Sequence, residues 1–265
     1  MGLEFPDFNV DIDGPDLELR QELPDLDLRQ CAILLDIDGT ILDLAPSPQQ
    51  VQVPADLRQT LERLGELTGG AVALVSGRPL ADIDLIFAPL KLAAIGGHGA
   101  EWRATPGAQA LSRARPLDDD LKRELAAVCA LGPGVIAEDK GYSFALHYRL
   151  APEQGDAVRA AVAAICAEAK ADAIEILLGK SVVEIKAAGI SKANAVRDLM
   201  ALPPFANRKP IFIGDDVTDE PVFAVVAQFG GLGFSVGHVA AAVNGRFAKP
   251  QSVRKWLARL TTGRG

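Results

Sequence analysis

The chain has 265 residues, 49% of them hydrophobic and 23% charged, which is apolar material enough for one large domain or two modest ones and excludes a disordered or fibrous chain. Its net charge of −8 is uneven: residues 1–30 carry nine acids and two bases, while the remainder holds 26 acids against 25 bases, so the body is near neutral and offers no basic face for nucleic acid. No apolar run approaches the roughly 18–20 residues of a membrane helix, the opening lacks the basic-then-apolar order of a secretion signal, and three cysteines without CxxC spacing (Cys31, Cys129, Cys166) predict reduced thiols in a cytoplasmic protein.

Residues 1–30, with Pro6, Pro15 and Pro24 set among the acids, predict an extended or disordered acidic arm. The letters DIDG occur in it at Asp11–Gly14 and recur at Asp36–Gly39. In the arm the carboxylates stay solvated with no scaffold to aim them. The second copy ends the continuous apolar run Ala32-Ile33-Leu34-Leu35, which reads as a strand covered on both faces in a parallel sheet. A helix follows from Pro54 to Gly69-Gly70, with Leu57, Leu61, Leu64 and Leu67 on its apolar stripe. A buried strand at Ala71–Ser76, a short helix over Leu80–Phe87 and an apolar strand at 92–97 continue the alternation. Right-handed βαβ units of this kind predict an α/β fold with a doubly wound parallel sheet, whose ligands bind beyond the carboxyl ends of the strands.

After Glu101 the pattern changes. A helix over 117–131 precedes GVIAEDKGYSFALHYR, whose DKG reads as a hairpin turn. Alternation there sets Tyr142, Phe144, Leu146 and Tyr148 on one face and Ser143, Ala145 and His147 on the other. An Ala-rich helix over 153–170 and a second hairpin, AIEILL and KSVVEIK joined at Gly179, complete a smaller α/β module, residues 104–187, inserted into a core made of 31–103 and 188–265. In KSVVEIK, Lys180, Glu184 and Lys186 share a face. The parallel pattern then resumes with a helix over 191–200, the strand KPIFIG, the acidic cluster Gly214–Glu220, a helix, GGLGFSV as last strand and a terminal helix at Val253–Leu260.

Four polar features therefore fall at predicted strand ends or helix starts: DIDGT at 36–40, Ser76, Lys192 and GDDVTDE at 214–220. Singly, each has a plain reading as a cap, a turn or a solvated charge. Together, at one edge of one sheet, they permit a specific chemistry. Converging carboxylates repel, and a hard divalent cation such as Mg²⁺ relieves that. A carboxylate beside the cation can attack phosphorus. A second carboxylate two residues on can protonate the leaving oxygen and then deprotonate water. A hydroxyl and an ammonium can hold the remaining phosphate oxygens.

LLDIDGTILD, ALVSGR, ISK and FIGDDVTDE, in this order, resemble the four motifs of the haloacid-dehalogenase-like phosphohydrolases. HGAEW, EDKGYSFALHYR, GKSVVEIKAAGISKANAVRDLM and PPFANRKPIFIGDDVTDE are similar to the trehalose-6-phosphate phosphatase branch, so the resemblance spans residues 31–258. It implies a Rossmann-like core with a cap closing over the sugar, Asp36 as nucleophile, Asp38 as general acid/base, and Ser76, Gly77 and Lys192 at the phosphate. Mg²⁺ would take the Asp36 carboxylate, the Asp38 main-chain carbonyl and Asp215, while Asp216 and Asp219 would act on metal-bound water and on the lysine. Ile37 stands where the family commonly has Phe, and Ser191-Lys192-Ala193 where it often has DKG. Glu138, Lys140, His147, Lys180 and Glu184 of the module, with Glu101 of the core, are the candidates for holding sugar hydroxyls through charged hydrogen bonds.

The expected activity is Mg²⁺-dependent hydrolysis of trehalose 6-phosphate through an aspartyl-phosphate, with functional association to a trehalose-phosphate synthase. The alternatives are another capped sugar phosphatase, acting on sucrose phosphate or mannosyl-3-phosphoglycerate, or a non-catalytic regulatory domain of the same ancestry.

Overall fold

The computed structural model describes residues 26–45, 50–112, 116–169, 174–179 and 181–262. The first DIDG, the arm up to residue 25 and Lys180 lie outside the described residues. In chain order the elements are β1 (Cys31–Leu35), α1 (Ala55–Leu67), β2 (Val72–Val75), α2 (Leu80–Phe87), β3 (Ala93–Gly96), β4 (Glu101–Arg103), β5 (Leu111–Ser112), α3 (Asp119–Ala127), β6 (Ile136–Asp139), β7 (Ser143–His147), α4 (Gly155–Glu168), β8 (Ile174–Gly179), β9 (Val182–Ala187), α5 (Lys192–Leu199), β10 (Lys209–Gly214), α6 (Glu220–Gln228), β11 (Leu232–Val236), β12 (Gly245–Phe247) and α7 (Pro250–Thr262). Two compact units result. One runs to Leu111 and resumes at Ser191; the other is Ser112–Ile190.

The first unit is an α/β domain on an eight-stranded sheet in the order β12-β11-β10-β1-β2-β3-β4-β5. Strands β12 through β3 run parallel, and β4 turns back antiparallel on β3. Central β1 shows why its sequence lacks alternation: all five residues are buried. Cys31, Ile33 and Leu35 pack under Leu57, Leu61 and Leu64 of α1 and under Val253, Trp256 and Leu257 of α7. Ala32 and Leu34 pack on the other side, with Val196 and Leu199 of α5 and Val222 and Phe223 of α6. Each fully buried Leu or Phe stabilises the fold by about 1.5–3 kcal/mol. Below the sheet's start, Leu28–Gln30 forms a 3-10 turn capped by the Asp27 side chain, and Leu26 and Leu28 pack against the first cluster.

Connections leave β1 toward β2 on one side and β10 toward β11 on the other, so neighbours β1 and β10 flank the point where the winding reverses. A crevice opens at that point beyond the carboxyl ends of the strands. Asp36 and Asp215 are the first residues past those two ends.

The second unit is a four-stranded antiparallel sheet, β6-β7-β9-β8, backed by α3 and α4. Phe144, Leu146, Val183 and Ile185 face the helices, and Tyr148 packs with them. Three sequence expectations need correction. The helix expected over 117–131 stops at Ala127 and tightens to a 3-10 turn over Val128–Leu131, ahead of Gly132. Gly179 is the last residue of β8, and among the described residues of that turn Ser181 is left-handed, at φ 67°. Leu232–Val236 is not the last strand, because β12 adds to its outer edge. β12 is only three residues long, too short for a pattern, and Asn244 beside it is tied to Gly233 by two backbone-directed hydrogen bonds of 2.7 and 2.9 Å.

Candidate active site

The chain leaves β1 through a tight turn. Asp36 N–H donates to Ile213 carbonyl at 2.9 Å, extending the β1–β10 pairing by one residue, and the Ile37 carbonyl then accepts from Thr40, Ile41 and Leu42. Ile37 is fully buried, so an aliphatic residue fills the place that the resemblance gives to Phe. Gly39 sits at φ +83°, and a Cβ there would lie 2.1 Å from Asp215 Oδ2. Only glycine allows the turn to reach the carboxylate while adopting that conformation. Gly39→Ala is expected to destabilise the protein by about 2–4 kcal/mol through strain and displacement of Asp215, and to abolish cation-dependent stabilisation. Thermal melts with and without Mg²⁺ check both effects.

Two elements from the far side of the sequence complete the centre. Ser191 caps α5, accepting from Asn194 N–H at 3.1 Å, which places Lys192 in the first turn. Its Nζ donates to Asp36 Oδ1 and to Asp219 Oδ1, each at 2.7 Å, and all three residues are buried. The other Asp219 oxygen accepts from the backbone N–H groups of Asp215 and Asp216 at 3.1 Å each. Asp219 therefore organises the loop after β10 and orients the lysine. Thr40 Oγ1 donates to Asp215 Oδ1 at 3.0 Å, tying the two loops together. Asp216 is exposed and caps its own turn, accepting from Val217 N–H at 2.7 Å.

Burial pushes the Asp36 carboxyl well above the usual range; Lys192 opposes this, while Asp219 and Asp215 add to it. Burial likewise lifts Asp215 to about 6, against the hydrogen bond from Thr40. For Lys192 burial works toward the neutral amine, but Asp219 and Asp36 outweigh it and hold the ammonium above its ordinary value. The centre thus carries more carboxylates than one lysine neutralises.

Asp36, Asp215 and Asp219 each offer an oxygen within 4.8 Å of the others. Oxygen-only donors in small number fit Mg²⁺. Both Asp219 oxygens are already hydrogen-bonded, so Asp36 and Asp215 are the carboxylates with capacity left. A native Asp215 pKa of about 6 against 3.8 unfolded means that the folded state binds more protons in between. Its contribution is therefore fully present at low pH and lost as pH rises through that window. In EDTA at pH 7.5, Asp215→Asn should melt a few degrees above wild type, corresponding to about 1–2 kcal/mol. The gap should close toward pH 4, and Mg²⁺ should stabilise only the wild type.

On the other flank, Ser76 continues β2: its N–H donates to Ile95 carbonyl at 2.8 Å, and its Oγ accepts from Arg78 N–H at 3.1 Å. A Cβ on Gly77 would lie 2.5 Å from His98 Nε2, so glycine makes room for the ring. Arg78 grips Asp38 with two hydrogen bonds, Nε to Oδ2 at 2.6 Å and Nη2 to Oδ1 at 2.7 Å. The Asp38 carboxylate stands outside the group of three that could hold a cation. The sequence reading missed Arg78 and Thr40; the available signal was their position within the same short motifs, two residues after Ser76 and four after Asp36. Glu101, expected at the sugar, accepts from Leu80 N–H at 2.8 Å and so satisfies the start of α2.

In the second unit, Glu138, Ala145 and Glu184 lie opposite one another across β6, β7 and β9. His147 Nε2 and Glu138 Oε2 are 2.8 Å apart, and Glu184 Oε1 accepts from Ser143 Oγ at 2.7 Å and from Lys140 Nζ at 3.4 Å. Glu138 is held below the usual range by the His147 hydrogen bond, with Lys140 assisting against burial. Four of the five candidates of this unit thus form one charged, hydrogen-bonded face; the fifth, Lys180, is outside the described residues. Lys186 turns to the Ile190 carbonyl and to Glu175. Among the described residues no helix is long and apolar enough to cross a membrane.

Residues 34–253 match the trehalose-phosphatase family. The chain is 38% identical over 232 residues to the trehalose-6-phosphate phosphatase of Escherichia coli (strain K12), covering 87% of this chain and 86% of that protein. It is 44% identical over 207 residues to a Sinorhizobium fredii protein named a probable trehalose-phosphate phosphatase, covering 78% and 77%. Its fold is similar to that of the C-terminal domain of C. albicans trehalose-6-phosphate phosphatase, with a TM-score of 0.77 at 19% identity over 88% of this chain and 93% of that one. With its reversed-winding sheet and its aspartate–lysine centre, the chain belongs to the trehalose-phosphatase family, a family of phosphatase enzymes.

Proposed function

We propose that the protein hydrolyses trehalose 6-phosphate to trehalose and phosphate through an aspartyl-phosphate on Asp36. One observation carries the reading: Asp36 is buried at the crevice, yet Lys192 contacts it at 2.7 Å with Asp215 close by. Mg²⁺ would be held by the carboxylates of Asp36 and Asp215 and the main-chain carbonyl of Asp38; when bound it supplies positive charge to the phosphate oxygens. An Asp36 carboxylate oxygen attacks phosphorus and the bond from phosphorus to the sugar oxygen breaks, while Asp38 gives its proton to that oxygen. Water then attacks the phosphorus of the acyl phosphate, Asp38 takes its proton, and phosphate leaves Asp36 as a carboxylate. Lys192 and Ser76, with the Gly77 backbone, bind the phosphate oxygens whose charge shifts during transfer. Asp216 and Asp219 keep the loop and the lysine in place.

The charged face of the second unit, with Glu138, Lys140, His147 and Glu184, recognises the sugar hydroxyls; Lys180 is assigned to the same role from its sequence alone, and Glu101 holds the start of α2. The substrate is supplied by a trehalose-phosphate synthase, and the cytoplasm suits three free cysteines. The test is phosphate release from trehalose 6-phosphate, sucrose 6-phosphate, glucose 6-phosphate and mannosyl-3-phosphoglycerate, with and without Mg²⁺. A preference of about 10²-fold or more for trehalose 6-phosphate, seen only with Mg²⁺, is expected. Preference for another ester would overturn the substrate, and metal-independent turnover would overturn the cofactor.

A further inference from the structure

The Arg78 side chain is built into its place from several directions. The Arg78 backbone N–H donates to Ser76 Oγ at 3.1 Å, and the Arg78 backbone carbonyl accepts from Gly97 N–H at 2.8 Å. That carbonyl also rests against Gly96, where a Cβ would meet it at 2.8 Å. From this clamped backbone the guanidinium reaches across forty positions of sequence and holds both oxygens of Asp38, at 2.6 and 2.7 Å. The two side chains are largely shielded, 11% and 29% exposed. A bidentate pair of this kind fixes the plane of a carboxylate as well as its charge, which a lysine does not do.

We propose that Arg78 is a positioning residue for Asp38: it holds the carboxyl group in the orientation needed at the ester oxygen. The role rests on the phosphatase reading above. Each Asp38 oxygen accepts one hydrogen bond from Arg78 and keeps a second lone pair, so the grip is compatible with the proton that Asp38 passes to the leaving oxygen. In that step the Asp36–phosphorus bond forms, the phosphorus–oxygen ester bond breaks, and the Asp38 proton ends on the alcohol. Arg78 touches neither of these bonds. Its effect should therefore scale with how much the leaving group needs a proton.

The experiment compares wild type, Arg78→Lys and Arg78→Ala under single-turnover and steady-state conditions with Mg²⁺, on phosphate monoesters running from p-nitrophenyl phosphate to alkyl phosphates and trehalose 6-phosphate. It reads release of the phenol or alcohol. The nitrophenolate leaves without protonation, so its rate constant should stay within about threefold of wild type. Release of alkyl and sugar alcohols should fall about 30-fold or more in Arg78→Ala and less in Arg78→Lys, with kcat rather than KM carrying the loss. An equal loss across the series would overturn the proposal and leave Arg78 a structural ion-pair partner. A loss confined to KM would instead make it a phosphate ligand, and no loss would remove it from the reaction. If the alanine variant does not fold, the lysine variant gives the same comparison. Wild-type inactivity on every ester would sink the phosphatase reading and the Arg78 role together; a wild type active on all esters, with a flat response in the variants, sinks only the latter.

Discussion

Asp36→Asn is expected to lower turnover of trehalose 6-phosphate by about 10⁴-fold or more, because a neutral amide cannot form the acyl phosphate. The same substitution should leave the fold intact. Asparagine keeps the shape of the side chain and an oxygen that can accept from Lys192, now at 2.7 Å from Asp36 Oδ1. Burial and the neighbouring carboxylates already disfavour the charge on Asp36. Removing it should hold or raise the melting temperature of the metal-free protein. The measurement pairs a melt in EDTA with acid-quenched trapping of labelled phosphate on the enzyme. Activity above about 1% of wild type, or labelled enzyme in the variant, would move the nucleophile elsewhere.

Lys192→Met should have the largest effect on stability. The ammonium bridges Asp36 and Asp219, and the exposures of Lys192, Asp36 and Asp219 are 4%, 5% and 0%. Removing one partner of a buried charge cluster costs about 3–5 kcal/mol, which is a fall in Tm of roughly 6–20 °C at this size. The deficit has a defined pH dependence. Burial already raises the Asp36 carboxyl against the pull of Lys192, and without the cation it rises further, so the folded variant binds more protons than its unfolded chain. Its stability is then greatest in acid and lost as pH rises through the raised Asp36 value. The gap to wild type should narrow at about pH 5 and widen at about pH 8. Lys192→Met combined with Asp219→Asn should recover part of the loss, since the asparagine side chain keeps an oxygen for the N–H groups of Asp215 and Asp216 while shedding the unpaired charge. If the double variant is no more stable than the single one, the lysine acts through something other than its charge.

Particular elements show where the sequence was readable. The uninterrupted run at Ala32–Leu35 predicted a strand covered on both faces, and its odd and even residues do pack into two different clusters. The leucine spacing of α1 predicted its buried stripe at Leu57, Leu61 and Leu64; Leu67 is only half-buried, because the helix ends there and Thr68 turns its hydroxyl to the Leu64 carbonyl at 2.8 Å. The alternation in β7 predicted that Phe144, Leu146 and Tyr148 share a face, and all three pack in the core of the second unit. Short irregular pieces were harder. β12 has three residues and owes its pairing to β11, and the β8–β9 turn uses Ser181 in a conformation that glycine would have announced.

Periodicity and the two kinds of DIDG context were local properties, and local properties are written in the chain. An apolar run ending in Asp-x-Asp must place carboxylates at the end of a buried strand, and by itself the sequence determined the α/β alternation, the crevice at the strand ends and the residue types collected there. Tertiary structure decided the pairings. Lys192 finds Asp36 across 156 positions, Thr40 finds Asp215 across 175, and Arg78 finds Asp38 across 40. Which charge neutralises which depends on distances of a few ångströms set by strand register and by the glycine at position 39, and Coulomb and hydrogen-bond energies change steeply over that range. Spacing along the chain carries no such information, which is why Arg78 and Thr40 stayed silent until the neighbouring strands β2, β1 and β10 were brought together.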